Sequence, residues 1–351
     1  MSESTYAMSD ATRVLVTGAS GFIGSHCIIQ LLEKGYRVRG TLRNMQRADA
    51  IREIIRQHTN NADALEFAET DLTRDEGWVE AATGCPLILH VASPFVIQAP
   101  KHEEELIIPA REGTLRLLRA AKTAGARKVV LTSSVAAIAY GDRNVLDRLY
   151  TEDDWSNHES KDIEAYSKSK TLAERAAWDF VSNDNPGFDL AVINPGAVLG
   201  PILEKDYGTS AMMILLMLQG ALPGVPRLGY EIVDVRDVAN LHILAMESDR
   251  ASGKRFPCVA GFRWFEEMSA TLRPAFPDFG KKIPAKLLPN WMMYIAAFLG
   301  KFPKTTLKEL GNKRAVSNRN AVELLGWNPR SPEEAIIATA QSLIDHGVVK
   351  P

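Results

Sequence analysis

RVLVTGASGFIGSHCIIQLLEKGYRVRGTLR, residues 13–43, decides the fold. Val14-Leu15-Val16 is a short continuous apolar run, the pattern of a strand buried on both faces. FIGSHCIIQLLEKG has helical spacing, with Ile23, Cys27 and Leu31 on one side and Gly35 as a stop. RVRGTL (37–42) reads as the next strand. Between first strand and helix, Gly18, Gly21 and Gly24 follow G-x-x-G-x-x-G. A tight strand-to-helix turn needs residues without a Cβ, and bare backbone N–H groups at a helix N-terminus can meet a pyrophosphate. Three spaced glycines alone mark a plain tight turn equally well. Their place inside a βαβ unit favours dinucleotide binding.

The pattern repeats outward. LEFAET (65–70), PLILHVA (86–92), KVVLTSS (128–134) and DLAVINPG (189–196) read as buried strands. Residues 103–125 and 164–183 read as helices. This alternation predicts an α/β fold: a doubly wound parallel Rossmann sheet covered on both faces, with right-handed crossovers. After about residue 200 it weakens. VDVRDVANLHILAMES (233–248) reads as a short strand entering a helix, and 262–330 shows no regular period. At 331, Ser-Pro-Glu-Glu opens a last helix, with a capping serine, a proline at the first position and two acids at the positive dipole end. The expected organisation is a loose tail (1–12), an NADP-binding Rossmann domain (13–200) and a smaller, mostly substrate-binding part (201–351), with 231–248 returning to the core.

Of the 351 residues, 46% are hydrophobic and 24% charged, which excludes disorder and coiled coil for the bulk of the chain. With 41 basic against 43 acidic residues there is no electrostatic support for a nucleic-acid partner. Cys27, Cys85 and Cys258 make neither a metal-ligand spacing nor a disulfide framework, so no metal is expected and a reducing compartment is. The polar start and the absence of a long apolar run predict a cytoplasmic protein without membrane contact.

The second strand ends in Arg43. A carboxylate there would suit the free 2′-hydroxyl of NAD, whereas an arginine suits the 2′-phosphate of NADP. Arg47 could add a second cation; the alternative is that both are solvated helix-start residues, and the arginine favours NADP over NAD. Asp71-Leu72 can lie near an adenine, or Thr73-x-x-Glu76 can form a capping box with Asp71 opening a helix. Tyr166 and Lys170 form Y-x-x-x-K, one face of a helix. An ammonium beside a phenol lowers its pKa and makes a proton donor usable near neutral pH. Ser133 and Ser134 lie at the carboxyl end of the fifth strand, where ligands bind in open α/β sheets.

VTGASGFIGSH (16–26), VRGTLR (38–43), LHVASPF (89–95), VVLTSSVAAI (129–138), AYSKSKTLAERAAW (165–178), INPGAVLGP (193–201), DVRDVANLHI (234–243) and LGWNPRSPEEAI (325–336) run through almost the whole chain. In these words the chain resembles the extended short-chain dehydrogenase/reductases. The match is to the dihydroflavonol 4-reductase-like group, which holds cinnamoyl-CoA reductases and microbial aldehyde and ketone reductases. The resemblance implies a catalytic set of Ser134, Tyr166 and Lys170, the later serine of the pair being the one the family uses. It implies Gly18, Gly21, Phe22, Ile23 and Gly24 at the pyrophosphate, and Arg43 at the 2′-phosphate of NADP. Asp71 and Leu72 would then sit by the adenine, Ala92 and Ser93 by the ribose, and Pro195, Gly196, Ala197 and Val198 by the nicotinamide. Tyr166 and Lys170 would also touch the cofactor.

The implied activity is NADPH-dependent reduction of aldehydes and ketones, with a small-molecule carbonyl or alcohol substrate and a homodimer left open. The polar loop 139–165 does not match the flavonoid enzymes' recognition pattern. An NAD-dependent epimerase or hydroxysteroid-type dehydrogenase is the alternative that Arg43 opposes. A non-catalytic dinucleotide sensor is the one that the intact Ser/Tyr/Lys set opposes. The apolar helix 211–218, with Met212, Met213 and Met217, is either core or a substrate-pocket wall. Asp237 is expected to cap a helix, and His90 and His242 to be packed rather than catalytic.

Overall fold

The structure, a computed structural model, describes residues 12–94, 102–142, 148–205, 208–221, 223–299 and 305–350. All but one of the residues assigned to the tail, Phe95 of the LHVASPF word, and 143–147 of the polar loop lie outside them.

β1 (Arg13–Thr17), α1 (Phe22–Glu33) and β2 (Arg37–Leu42) are the opening βαβ unit. Gly35, at φ 87°, ends the helix in the left-handed region that glycine favours. α2 (Ala48–Arg56), β3 (Leu65–Glu69), α3 (Trp78–Ala82), β4 (Leu87–His90), α4 (Glu104–Thr123) and β5 (Lys128–Thr132) follow. After the two-residue β6 (Leu149–Tyr150) come α5 (Ala165–Asp184), β7 (Asp189–Pro195), β8 (Ala197–Leu199) and α6 (Thr209–Gln219). β9 (Gly229–Asp234), α7 (Val235–Glu247), β10 (Lys254–Cys258), β11 (Gly261–Trp264) and α8 (Phe265–Ala275) lead to α9 (Asn290–Phe298), β12 (Ala315–Val316), α10 (Arg319–Leu325) and α11 (Pro332–Asp345).

Seven strands form one sheet in the order β10-β7-β5-β4-β1-β2-β3. Every pairing in it is parallel. This is the doubly wound Rossmann arrangement. Successive residues of β1 point to opposite layers, as strand pleating requires. Val14 and Val16 pack toward α1, α2 and α7, while Leu15 packs with α3, α4 and α5. That two-sided burial is why the strand reads as an unbroken apolar run. A second core joins β8, β9, α6, α8 and α11. No helix of the described residues is long and apolar enough to cross a membrane.

Several local expectations are corrected. No helix opens at Asp71. Its carboxylate takes the Thr73 N–H at 2.8 Å and the Thr73 hydroxyl at 2.7 Å, and α3 starts only after Gly77. α7 is capped by Asp234, which accepts from the Arg236 N–H at 2.9 Å. Asp237 lies inside that helix and instead holds Arg330, taking its backbone N–H at 2.7 Å. Residues 262–330 do contain regular elements, α8, α9 and α10. The chain returns to the first core beyond 231–248, through β10 and α10, while β8, before residue 200, belongs to the smaller three-stranded sheet. The last helix is capped as read, with reciprocal bonds between Ser331 and Glu334.

Candidate active site

The glycine turn is a cradle for an anion. Gly18 sits at φ +72°, and a Cβ on Gly24 would lie 2.2 Å from the Gly18 carbonyl oxygen, so neither position admits a side chain. Gly21, at the N-cap of α1, gives no side-chain cap to the helix N–H groups. Those donors and the positive helix end suit a pyrophosphate, so the residues present fit a dinucleotide. The floor beside it is fixed by the Thr17 hydroxyl, which accepts from the N–H groups of Val91 (3.0 Å) and Ala92 (2.9 Å). The same hydroxyl lies 2.8 Å from His90 Nδ1. Burial lowers His90 to about 3, so it stays neutral and packed, as expected of it.

Arg43, just beyond β2, is exposed and makes no ion pair among the described residues. Arg47 is not a second free cation, because both carboxylate oxygens of Glu204 accept from it at 3.1 Å. Leu72 packs over Gly113 of α4, and its carbonyl accepts from Arg116 at 2.7 Å.

β5, α5 and β7 bring the polar set together where their ends meet. The two serines have different surroundings. Ser133 donates to Glu174 Oε2 at 2.5 Å and is occupied. Ser134 faces a cavity, bonding the Pro195 carbonyl at 3.4 Å and accepting from the Ala136 N–H at 3.1 Å. Tyr166 lies on the same cavity. The residue is 37% exposed, but its phenol end sits low enough for burial to raise its pKa, opposed by the hydrogen bond with Ser134. The expected lowering by Lys170 is therefore absent here. Its ammonium lies 5.9 Å from the Tyr166 ring centroid and donates instead to Ser93 Oγ at 2.9 Å. Burial lowers Lys170 to about 8, with the Glu174 charge opposing.

The cavity holds about 540 Å³. Ser134, Tyr166 and Gly196 line one side, and Tyr230, Phe262 and Arg314 of the smaller part line the other. Gly196 has no room for a side chain, since a Cβ would lie 2.4 Å from the Glu231 carbonyl oxygen. Ala197 joins this wall, while Val198 packs on the first core. Helix α6 reaches the cavity only through Thr209 and Ser210. Met217 and its apolar neighbours belong to the second core, and Met212 is partly exposed.

The sequence reading missed Glu174, Asn194 and Arg255 behind the site, and Tyr230, Glu231 and Arg314 in its far wall. Glu231 accepts from the Val316 N–H at 2.9 Å, and burial raises it to about 7. Only Glu174 carried a local signal, four residues after Lys170 on the same helix face. The others arrive through strand pairing and the C-terminal segment.

Residues 14–258 match the model of the NAD dependent epimerase/dehydratase family. Cinnamoyl-CoA reductase CAD2 of Medicago truncatula is 36% identical over 277 residues, covering 78% of this chain and 83% of that protein. Among solved structures, yeast methylglyoxal/isovaleraldehyde reductase Gre2 complexed with NADPH aligns at a TM-score of 0.79 and 27% identity, over 96% of this chain and 100% of that one. Gre2 of Candida albicans in complex with NADPH aligns at 0.78 and 29%, over 95% and 99%.

Proposed function

The chain belongs to the NAD dependent epimerase/dehydratase family, and we propose that within it the chain is an NADPH-dependent carbonyl reductase, turning aldehydes and ketones into alcohols reversibly. The observation that carries this is the Ser134–Tyr166 pair facing one cavity, joined to the glycine cradle through Lys170, Ser93 and Ala92, which packs against Gly18. Gly18, Gly21, Phe22, Ile23 and Gly24 would hold the pyrophosphate, Arg43 the 2′-phosphate, Asp71 and Leu72 the adenine. Ala92 and Ser93 would hold the ribose, and Pro195 to Val198 the nicotinamide. NADPH, when bound, supplies the hydride.

Ser134 donates a hydrogen bond to the substrate carbonyl oxygen and polarises it. Tyr166 hands that oxygen a proton, work worth ~10²–10⁴-fold in rate. Lys170, at about 8, is mostly an ammonium at neutral pH; turned to Ser93 it holds the ribose side of the site, and only a ribose hydroxyl bridging it to Tyr166 would bring its charge to bear on the phenolate left behind. Ser93, already bonded to Lys170, sits where a ribose hydroxyl would join the same network. In the reverse direction the phenolate takes the alcohol proton.

Arg43, exposed and unpaired among the described residues, favours NADPH over NADH. The three cysteines are buried and free, which suits a reducing cytoplasm. A small-molecule carbonyl or alcohol is the partner this reading requires; it calls for neither nucleic acid nor membrane and leaves a homodimer open. The test is incubation with NADPH and a panel of aldehydes and ketones, measuring NADPH consumed against alcohol formed. Equal amounts, with NADH far slower, are expected. No NADPH consumption across the panel overturns the reading.

A further inference from the structure

We infer that Glu174 is a positioning residue of the reductase: its buried carboxylate ties the strand ends of the site together and sets a negative charge behind Lys170. The inference rests on the roles proposed above for Ser134, Tyr166 and Lys170.

Glu174 is 1% exposed, and both of its oxygens are fully used. Oε2 accepts from the Ser133 hydroxyl at 2.5 Å and from Asn194 Nδ2 at 2.8 Å. Oε1 accepts from Arg255 Nε at 2.5 Å and from Trp178 Nε1 at 3.3 Å. The donors come from the end of β5, from β7, from β10 and from α5 itself. Asn194 passes the restraint on, because its Nδ2 also donates to the Ser134 carbonyl at 3.2 Å. Arg255 carries it outward, donating to the carbonyls of Glu152 (2.7 Å) and Asp154 (2.6 Å) and stacking over Trp155 at 3.8 Å. One carboxylate therefore fixes Ser134 relative to the helix that bears Tyr166 and Lys170.

The charge matters as much as the shape. Glu174 lies one helical turn from Lys170 and opposes the loss of its proton, which burial favours. Among the described residues, the titratable and charged groups around Lys170 are few. Tyr166 and Glu174 face it from α5. His90 faces it from β4 and is neutral. Arg255 of β10 stands beyond Glu174. Ser93, Thr114 and Ser133, from the β4 end, α4 and the β5 end, are uncharged. Glu103, ahead of α4, is paired with Lys168 at 2.7 Å.

The test compares wild type with Glu174→Gln, Glu174→Asp and the double variant Glu174→Gln/Arg255→Met. The double variant removes both buried charges and so leaves none unpaired. The direct readout is the ¹³Cε titration of Lys170 in the ligand-free chain, its resonance assigned by its loss in Lys170→Met. Glu174→Gln and the double variant should lower that midpoint by about one pH unit or more, as expected for losing an adjacent opposite charge. The alkaline limb of kcat/KM should move down with it. Glu174→Asp should keep the limb and lose kcat, because the carboxylate survives but its reach shortens. If the folded double variant keeps the wild-type midpoint, or only the melting temperature changes, the inference is overturned. If wild type consumes no NADPH with any carbonyl, the functional reading fails, while the ¹³C titration still decides the role of the charge.

Discussion

Residue spacing identified which groups share a face, but not which atoms meet. Tyr166 and Lys170 lie one turn apart as the Y-x-x-x-K spacing demands, yet the ammonium turns to Ser93, a partner 77 residues away that no local pattern announces. Ser133 and Ser134 were indistinguishable by position, and the family resemblance favoured the second. In the structure they differ because a buried carboxylate, 41 residues on, takes the first. Asp237 had the composition of a cap, but Asp234 lies one turn closer to the helix start and fills that role. Arg43 is the residue whose part is most separable. Removing one charge-assisted contact costs about 1.5–3 kcal/mol, so Arg43→Ala should weaken NADPH binding by about tenfold or more. NADH binding should change little. Titration calorimetry with both cofactors checks this, and equal losses would make Arg43 structural.

At the level of elements, legibility followed locality. The β1–α1–β2 unit was readable because each part is self-contained: an apolar run buried on both faces, a turn with no room for Cβ atoms, and a helix ended by a left-handed glycine. α11 was readable for the same reason, since its capping box lies within four residues. α8, α9 and α10 were not. They are short: α8 carries Pro274, α9 is crowded with aromatics, α10 spans only seven residues, and α8 is held by packing on the second core rather than by a clean period of its own. The capping box at Thr73 failed because Asp71 had already taken the Thr73 N–H and hydroxyl. For α6, the surroundings of Met217 decide between core and pocket wall. Met217 is fully buried in the second core, so Met217→Ala should lower stability by about 2–5 kcal/mol. The ranking of bulky against small carbonyl substrates should stay as it is. A thermal melt and a small substrate panel on this variant suffice, and a changed ranking without a lowered melt would return α6 to the pocket.

For the whole molecule, the site exists because the carboxyl ends of β5 and β7 and the start of α5, which bring Ser134 and Tyr166, meet the three-stranded sheet, which closes the cavity with Tyr230 of β9 and Phe262 of β11. Burial sets the acid stability. His26, His90 and His242 are lowered from 6.5 to about 4, 3 and 4, mainly by burial, so they stay neutral in the folded chain. Below pH 6.5 the unfolded chain takes up protons there that the folded chain refuses, at about 1.4 kcal/mol per proton per pH unit. Glu231, raised to about 7, acts in the opposite sense and offsets part of this. Stability should therefore fall as pH drops from 6.5 toward 4, seen as a lower melting temperature at pH 5 than at pH 7. A melting temperature that holds or rises over that interval would contradict the neutral, buried assignment of these histidines. The central claim is that this chain reduces carbonyls with Tyr166 as the proton donor. Its most direct test is the kcat of Tyr166→Phe against wild type, with NADPH and an aldehyde that wild type reduces, alongside NADPH affinity. The predicted result is a kcat lower by ~10²–10⁴-fold with NADPH affinity nearly unchanged; a variant that keeps more than about half of the wild-type kcat, far outside that range, contradicts it.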